Sequence, residues 1–127
     1  MTKSESRKKK ILVVEDEPII GRLCKRVLDA EGYDVDVVDN GESAKEKATN
    51  TDYNLCISDI RLPGITGIQL YKHWETSNKN LARKVIFITG DTLNQNIQTF
   101  LNKSGRLCIM KPFSPDDLIA AVRKILG

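Results

Sequence analysis

Cysteine and histidine are scarce in this chain of 127 residues, which holds three of the first and one of the second. Cys24, Cys56 and Cys108 are odd in number, far apart and without a Cys-x-x-Cys pair, so neither a disulfide framework nor a zinc site is indicated. They read as small buried hydrophobes in a reducing compartment. His73 has no cysteine or carboxylate at metal-ligand spacing and reads as a helix-surface residue. Long apolar runs are missing as well. Stretches such as Ile11-Leu12-Val13-Val14 fall far short of the ~20 apolar residues that span a bilayer. No apolar stretch follows the basic residues at the start, so the pattern of a signal peptide is absent and no membrane insertion is expected.

The net charge of +3 is unevenly placed. Residues 1–10 carry five basic groups against one acidic, which leaves 15 basic and 16 acidic groups over the rest. The body is close to neutral, and residues 1–10 read as a basic flexible leader preceding a domain over 11–127. A nucleic-acid reading rests on that leader alone. No helix-turn-helix pattern or basic stripe follows it, so no direct nucleic-acid binding is expected.

What the chain does have is alternation. Its 40% apolar and 29% charged composition is that of a soluble globular domain with one core. Five short runs, 11–14, 35–38, 55–58, 85–89 and 107–110, are β-branched or aliphatic, as in strands covered on both faces. Amphipathic segments lie between them. Ile20, Leu23, Cys24, Val27 and Leu28 share one helical face, with Gly32 where a C-terminal cap belongs. Asn40-Gly41-Glu42 opens a second helix around Ala44 and Ala48, and Ile68, Tyr71 and Trp74 trace a third. Thr92 with Gln95 is a capping-box pattern for a fourth, carrying Leu93, Ile97, Phe100 and Leu101. Ser114-Pro115 starts a fifth over Leu118, Ile119, Val122, Ile125 and Leu126. Strict βαβα alternation predicts an α/β three-layer sandwich of parallel strands with right-handed crossovers.

Ligands of such a sheet bind beyond the carboxyl ends of its strands. There the sequence places Glu15-Asp16-Glu17, Asp59, Thr89-Gly90-Asp91 and Lys111-Pro112-Phe113. If the first and third strands are neighbours, Glu15, Asp16 and Asp59 converge, and three carboxylates at close range repel one another. A hard divalent cation resolves that conflict, and a partly hydrated oxygen site suits Mg²⁺, with Mn²⁺ as a substitute. Lys111 adds a fixed positive charge and Thr89 a hydroxyl. A metal, a cation and a hydroxyl around a carboxylate form a site for phosphoryl transfer, with the carboxylate as nucleophile.

With these residues in view, the chain from residue 11 resembles the receiver domains of two-component response regulators. The segments that carry the resemblance are Ile11-Leu12-Val13-Val14-Glu15-Asp16-Glu17, Ile57-Ser58-Asp59-Ile60-Arg61-Leu62-Pro63-Gly64, Ile88-Thr89-Gly90 and Lys111-Pro112-Phe113. The resemblance implies a doubly wound (βα)5 fold, flavodoxin-like, with strand order 2-1-3-4-5. It implies that Asp59 accepts a phosphoryl group from a histidine kinase or a histidine phosphotransfer domain. Asp16, the Asp59 carboxylate and the backbone carbonyl of Arg61 would hold Mg²⁺, with Glu15 assisting through water. Thr89 would follow the phosphoryl group and Lys111 would pair with its oxygens. The Lys111–Pro112 peptide is expected to be cis, Gly90 to leave room for the donor, and the side chains of Arg61 and Asp91 to flank the site and tune the access of water.

One position departs from the family pattern. Many receivers carry a Tyr or Phe three residues before the lysine, where this chain has Cys108. A thiol cannot fill the space of a swinging ring, so signalling is expected to rely on the fourth helix and its loop. The stretch from Thr89 through Phe113 is most like receivers attached to hybrid sensor kinases. The resemblance therefore leaves two settings open: a stand-alone receiver acting on an output protein, or a domain tethered to kinase domains. A cytoplasmic location is expected, or tethering to a membrane kinase in a hybrid protein.

Rival readings fail on particular residues. A flavin-binding domain would want a Ser/Thr/Gly-rich loop after the first strand, where Glu15-Asp16-Glu17 repels phosphate. After the first strand there is no Asp-x-Asp of the kind that dehalogenase-type phosphatases use as nucleophile, and the Gly-x-x-x-x-Gly-Lys of P-loop enzymes is absent. A receiver-fold interaction scaffold that is never phosphorylated remains the alternative, although such scaffolds usually lose an acidic residue, the nucleophile or the lysine.

Overall fold

The computed structural model describes residues 8–91 and 94–127. The leader expected over 1–10 therefore lies mostly outside the described residues. Its last members are already built in: β1 (Lys10–Val14) starts at Lys10, and the Lys9 carbonyl accepts a hydrogen bond from the Asp34 amide at 2.9 Å.

Five strands follow the sequence pattern closely: β1, β2 (Asp34–Val38), β3 (Leu55–Asp59), β4 (Val85–Thr89) and β5 (Leu107–Met110). All neighbours pair in parallel, in the order β2-β1-β3-β4-β5. The order reverses at β1 and β3, so the chain ends of those two central strands meet at the crevice where such sheets bind ligands.

Period-two alternation divides the core between the two faces of the sheet. Leu12 and Val14 of β1, Cys56 of β3 and Val85 and Phe87 of β4 pack with Ala44, Leu70, Trp74 and Ile97. Those partners belong to α2 (Gly41–Asn50), α3 (Gly67–Ser77) and α5 (Gln95–Ser104). Ile11, Val13, Leu55, Ile57, Ile86 and Ile88 face the other way, against Cys24 and Leu28 of α1 (Pro18–Ala30) and Leu118 and Val122 of α6 (Pro115–Leu126). The three-layer sandwich is thus complete.

The helix ends show where local chemistry decides. Gly32, at φ +95°, takes the left-handed conformation just past α1 that an L side chain rarely adopts. Asn40 caps α2 through the Ser43 amide, and Ser114 and Asp117 form a reciprocal capping box on α6. Thr66 and Gln69 do the same for α3. The cap expected at Thr92 falls outside the described residues, and α5 corrects that expectation: its N-cap is Asn94, whose side chain accepts from the Ile97 amide at 3.1 Å. Asparagine is among the strongest N-caps, and placing it there starts the helix at Gln95. The sequence reading also missed α4 (Lys79–Ala82), a single turn capped by Asn78 and too short to show periodicity. His73 is exposed on α3, as expected. Cys24 and Cys56 are buried, whereas Cys108 is only half-buried, because β5 is an edge strand. Among the described residues no helix is long and apolar enough to cross a membrane.

Candidate functional site

Asp59 is the last residue of β3 and is almost wholly buried, although it is charged. An ionised group at that depth needs partners on both oxygens. Oδ1 accepts a hydrogen bond from the Arg61 backbone amide at 2.9 Å, and Oδ2 accepts one from the Lys111 ammonium at 2.6 Å. The strand end thus presents a carboxylate fixed in direction.

Behind this carboxylate the chain turns sharply into α3. The Gly67 amide donates to the Ile60 carbonyl at 2.9 Å, and a Cβ on Gly67 would overlap the Asp59 carbonyl oxygen. Only glycine permits this approach of helix to strand. The sequence reading missed Gly67, and its one available signal was a glycine opening the helix after the Asp59 loop.

Lys111 follows β5 and crosses to the centre of the sheet. Its own amide donates to the Thr89 carbonyl at 2.8 Å, and the Lys111–Pro112 peptide is cis, as the resemblance implied. The ammonium stands 2.6 Å from Asp59 Oδ2, 2.7 Å from Glu17 Oε1 and 2.9 Å from Glu15 Oε1. Burial alone would lower the affinity of Lys111 for its proton, but its hydrogen bonds and attraction to Asp59, Glu17 and Glu15 outweigh that and hold it above its ordinary value.

Glu15 is the extreme case. Its carboxyl is fully buried beyond β1, and Oε1 lacks an aligned hydrogen bond even though the ammonium is close. Oε2 accepts from the Glu17 amide at 3.2 Å. Burial pushes its pKa up to about 7, against the attraction of Lys111 and with help from the Asp59 charge. Carboxylate oxygens of Glu15, Glu17 and Asp59 all lie within 4.8 Å of one another, a spacing and donor chemistry that suit a hard divalent cation. The buried and unaligned Oε1 is what such an ion would satisfy.

The sequence reading grouped Asp16, not Glu17, with Glu15 and Asp59. Asp16 lines the same cavity, of about 450 Å³, together with Glu17, Asp59, Arg61, Gly90, Asp91 and Lys111, but it is not one of the three converging carboxylates. Thr89 closes β4, and its hydroxyl oxygen accepts from the Asp91 amide at 3.0 Å, which leaves the hydroxyl proton to donate elsewhere. Gly90 is exposed at the rim, where an added Cβ would meet only Lys111 Cβ, at an ordinary 3.9 Å. Arg61 and Asp91 form an ion pair there.

Cys108 stands beside Phe87 in the β4–β5 register. The rings near it belong to other elements: Tyr71, Phe87 and Phe100 pack edge to face, with centroids 5.4 to 5.8 Å apart. The half-buried thiol is pushed up to about 11, first by burial and then by the Asp59 charge.

Comparison with known proteins finds relatives along almost the whole chain. Residues 11–123 match the response regulator receiver domain. Response regulator ArlR of Staphylococcus saprophyticus is 32% identical over 117 residues, which cover 92% of this chain and 52% of that protein. Transcriptional regulatory protein ResD of Bacillus subtilis is 30% identical over 122 residues, covering 96% of this chain and 50% of that one. The chain therefore spans about half the length of these curated relatives. Among solved structures, a CheY-like response regulator receiver domain protein from Methanospirillum hungatei superposes with TM-score 0.85 at 29% identity, over 93% of each chain. Response regulator protein TrrA of Thermotoga maritima, solved in complex with Mg²⁺ and BeF, superposes with TM-score 0.80 at 34% identity, over 92% of this chain and 98% of that one. With a buried aspartate at the end of β3, a lysine at the end of β5 and a sheet ordered 2-1-3-4-5, this chain belongs to the receiver domain family of response regulators, the signalling domains of two-component systems.

Proposed function

We propose that Asp59 is the phosphoacceptor of this receiver and takes its phosphoryl group from a phosphohistidine of a histidine kinase or histidine phosphotransfer domain, in a Mg²⁺-dependent reaction. The observation that carries this reading is the fixing of the Asp59 carboxylate, one oxygen by the Arg61 amide and the other by Lys111, at the floor of a solvent-open cavity. A carboxylate oxygen of Asp59 attacks phosphorus. The P–N bond of the donor breaks, its electron pair goes to the imidazole nitrogen, and that nitrogen takes up a proton from solvent. Catalysis of this kind is mostly positioning and charge stabilisation.

This chain's residues divide that work. Lys111 offers its ammonium to the phosphoryl oxygens, and Thr89 can donate its hydroxyl proton to one of them. Glu15, Asp16, Asp59 and the Arg61 carbonyl would hold Mg²⁺, with Mn²⁺ as a substitute. The ion supplies neutralisation of charge between the carboxylates and the incoming phosphoryl group. Glu15 and Asp59 of this set are two of the three converging carboxylates, and with the unaligned Glu15 oxygen they support the fit. Gly90, at the rim of the same cavity, would leave room for the donor beside Asp59. The same residues assist the later hydrolysis of the acyl phosphate, so the domain is a signalling phosphoacceptor with no turnover of a separate substrate. A cytoplasmic location fits such a partner, with either an output protein or tethered kinase domains as the recipient of the signal.

Intact-mass spectrometry after incubation with acetyl phosphate tests this, with and without Mg²⁺, on the wild type and Asp59→Asn. A Mg²⁺-dependent gain of one phosphoryl group that the variant lacks is the expected result. No gain under any condition would move the assignment to a non-phosphorylated interaction scaffold.

A further inference from the structure

Glu17 occupies the N-cap of α1, a place where a short side chain normally accepts hydrogen bonds from the first-turn amides. It makes no such bond. Its carboxylate turns instead to Lys111, where Oε1 accepts from Nζ at 2.7 Å. The ammonium's two aligned hydrogen bonds thus go to Asp59 and Glu17, while the contact with Glu15 is unaligned.

These carboxylates are unequal when a phosphoryl group arrives. Asp59 carries the new group, and Glu15 is sealed in the interior with no exposed side-chain surface. The Glu17 side chain is 58% exposed, so it alone of the three can swing into water with little desolvation. Until it does, one of the ammonium's hydrogen bonds stays committed to a carboxylate that does not take part in the transfer.

We propose that Glu17 is a positioning residue, one that shares the Lys111 ammonium with Asp59 in the unphosphorylated chain and competes with the phosphoryl group for it. This rests on the reading of Asp59 as phosphoacceptor. The competition weakens retention of the phosphoryl group without touching phosphorus.

The test uses beryllofluoride, a phosphoryl mimic, in a fluorine NMR titration. Mg²⁺ is first titrated for each variant and then held at saturation, so that any loss of a carboxylate near the ion does not enter the result. Glu17→Gln should bind beryllofluoride about two- to fivefold more tightly than the wild type, the range for one partly exposed ion pair. Glu17→Ser should show the same gain while keeping or raising the thermal midpoint, because serine can cap α1, and this separates the effect from folding. In Mg²⁺-free protein, nitrogen NMR of the lysine ammonium should show the Lys111 signal shifted in both variants, a signature that a merely structural residue would not produce. Wild-type binding with no gain in either variant overturns the proposal alone. No binding by the wild type, or full binding by Asp59→Asn, overturns the phosphoacceptor reading and this proposal with it.

Discussion

The guanidinium of Arg61 and the carboxylate of Asp91 pair across the mouth of the cavity, joining the loop after β3 to the loop after β4 directly above Asp59. The two residues are thirty apart in sequence and come from neighbouring strands. With Asp59 as the proposed phosphoacceptor, a bridge in this place would narrow the path by which water reaches the acyl phosphate. Removing either side chain should accelerate loss of the phosphoryl group. Because the Arg61 side chain is 63% exposed, the pair is screened and the gain should be modest, about two- to fivefold. Phosphate release from phosphorylated Arg61→Ala, Asp91→Ala and the double variant measures it. If the bridge is the cause, the double variant is no faster than the singles, and unchanged rates would remove the idea.

Gly67→Ala should harm stability and phosphorylation together. The added methyl meets the Asp59 and Ile60 backbone, which cannot yield as a flexible side chain would. Overpacking of this kind costs about 1–3 kcal/mol. Urea unfolding should show the loss, and the rate of labelling by acetyl phosphate should fall because the displaced strand end carries the proposed acceptor. A stable variant with normal labelling would show that α3 adjusts freely.

The buried Glu15 makes metal-free stability depend on pH. Its pKa in the folded chain is raised from 4.5 to about 7, so the folded state binds this proton more tightly than the unfolded state. The corresponding stability is fully present below about pH 4.5 and is lost as pH rises through 7. Its size is on the order of 3 kcal/mol. With chelator present, the difference in urea midpoint between wild type and Glu15→Gln should therefore change in favour of the variant between pH 5 and 7.5. An unchanged difference would mean that Lys111 keeps Glu15 ionised throughout.

The thiols should be slow nucleophiles. Burial raises Cys24 to about 12, burial and then the Asp59 charge raise Cys108 to about 11, and Cys56 lies higher still. Since the thiolate is the reacting form, Cys108 in the folded chain should react with iodoacetamide at pH 8 on the order of a hundredfold more slowly than in urea. Rapid labelling of native Cys108 would show that β5 opens readily at the edge of the sheet.

Most of this fold was legible because its signal is repeated. Strands buried on both faces carry runs such as Val85–Thr89 that nothing else in the chain imitates, and their ends were placed to within about a residue. The turn at Lys79–Ala82 and the start of α5 at Gln95 were not, since each depends on which of several competing asparagines and threonines caps. At the site, Asp59, Thr89 and Lys111 were legible as polar residues ending apolar strands. Glu15-Asp16-Glu17 was not resolved to the side chain. Beyond the Glu15 amide, which still donates to the Val38 carbonyl, the ladder stops, and which carboxylate turns inward is decided by the turn into Pro18 and by the reach of Lys111 from 94 residues away. Gly67 matters through a backbone approach that no composition reveals.

Lys111, set among three carboxylates, is a counter-ion that the chain carries with it. Without a divalent cation the chain is not left with bare charges facing one another at the end of its central strands. Chelation should silence the chemistry and leave the architecture standing, so that the molecule can wait, folded and unlabelled, through any interval in which the ion is scarce.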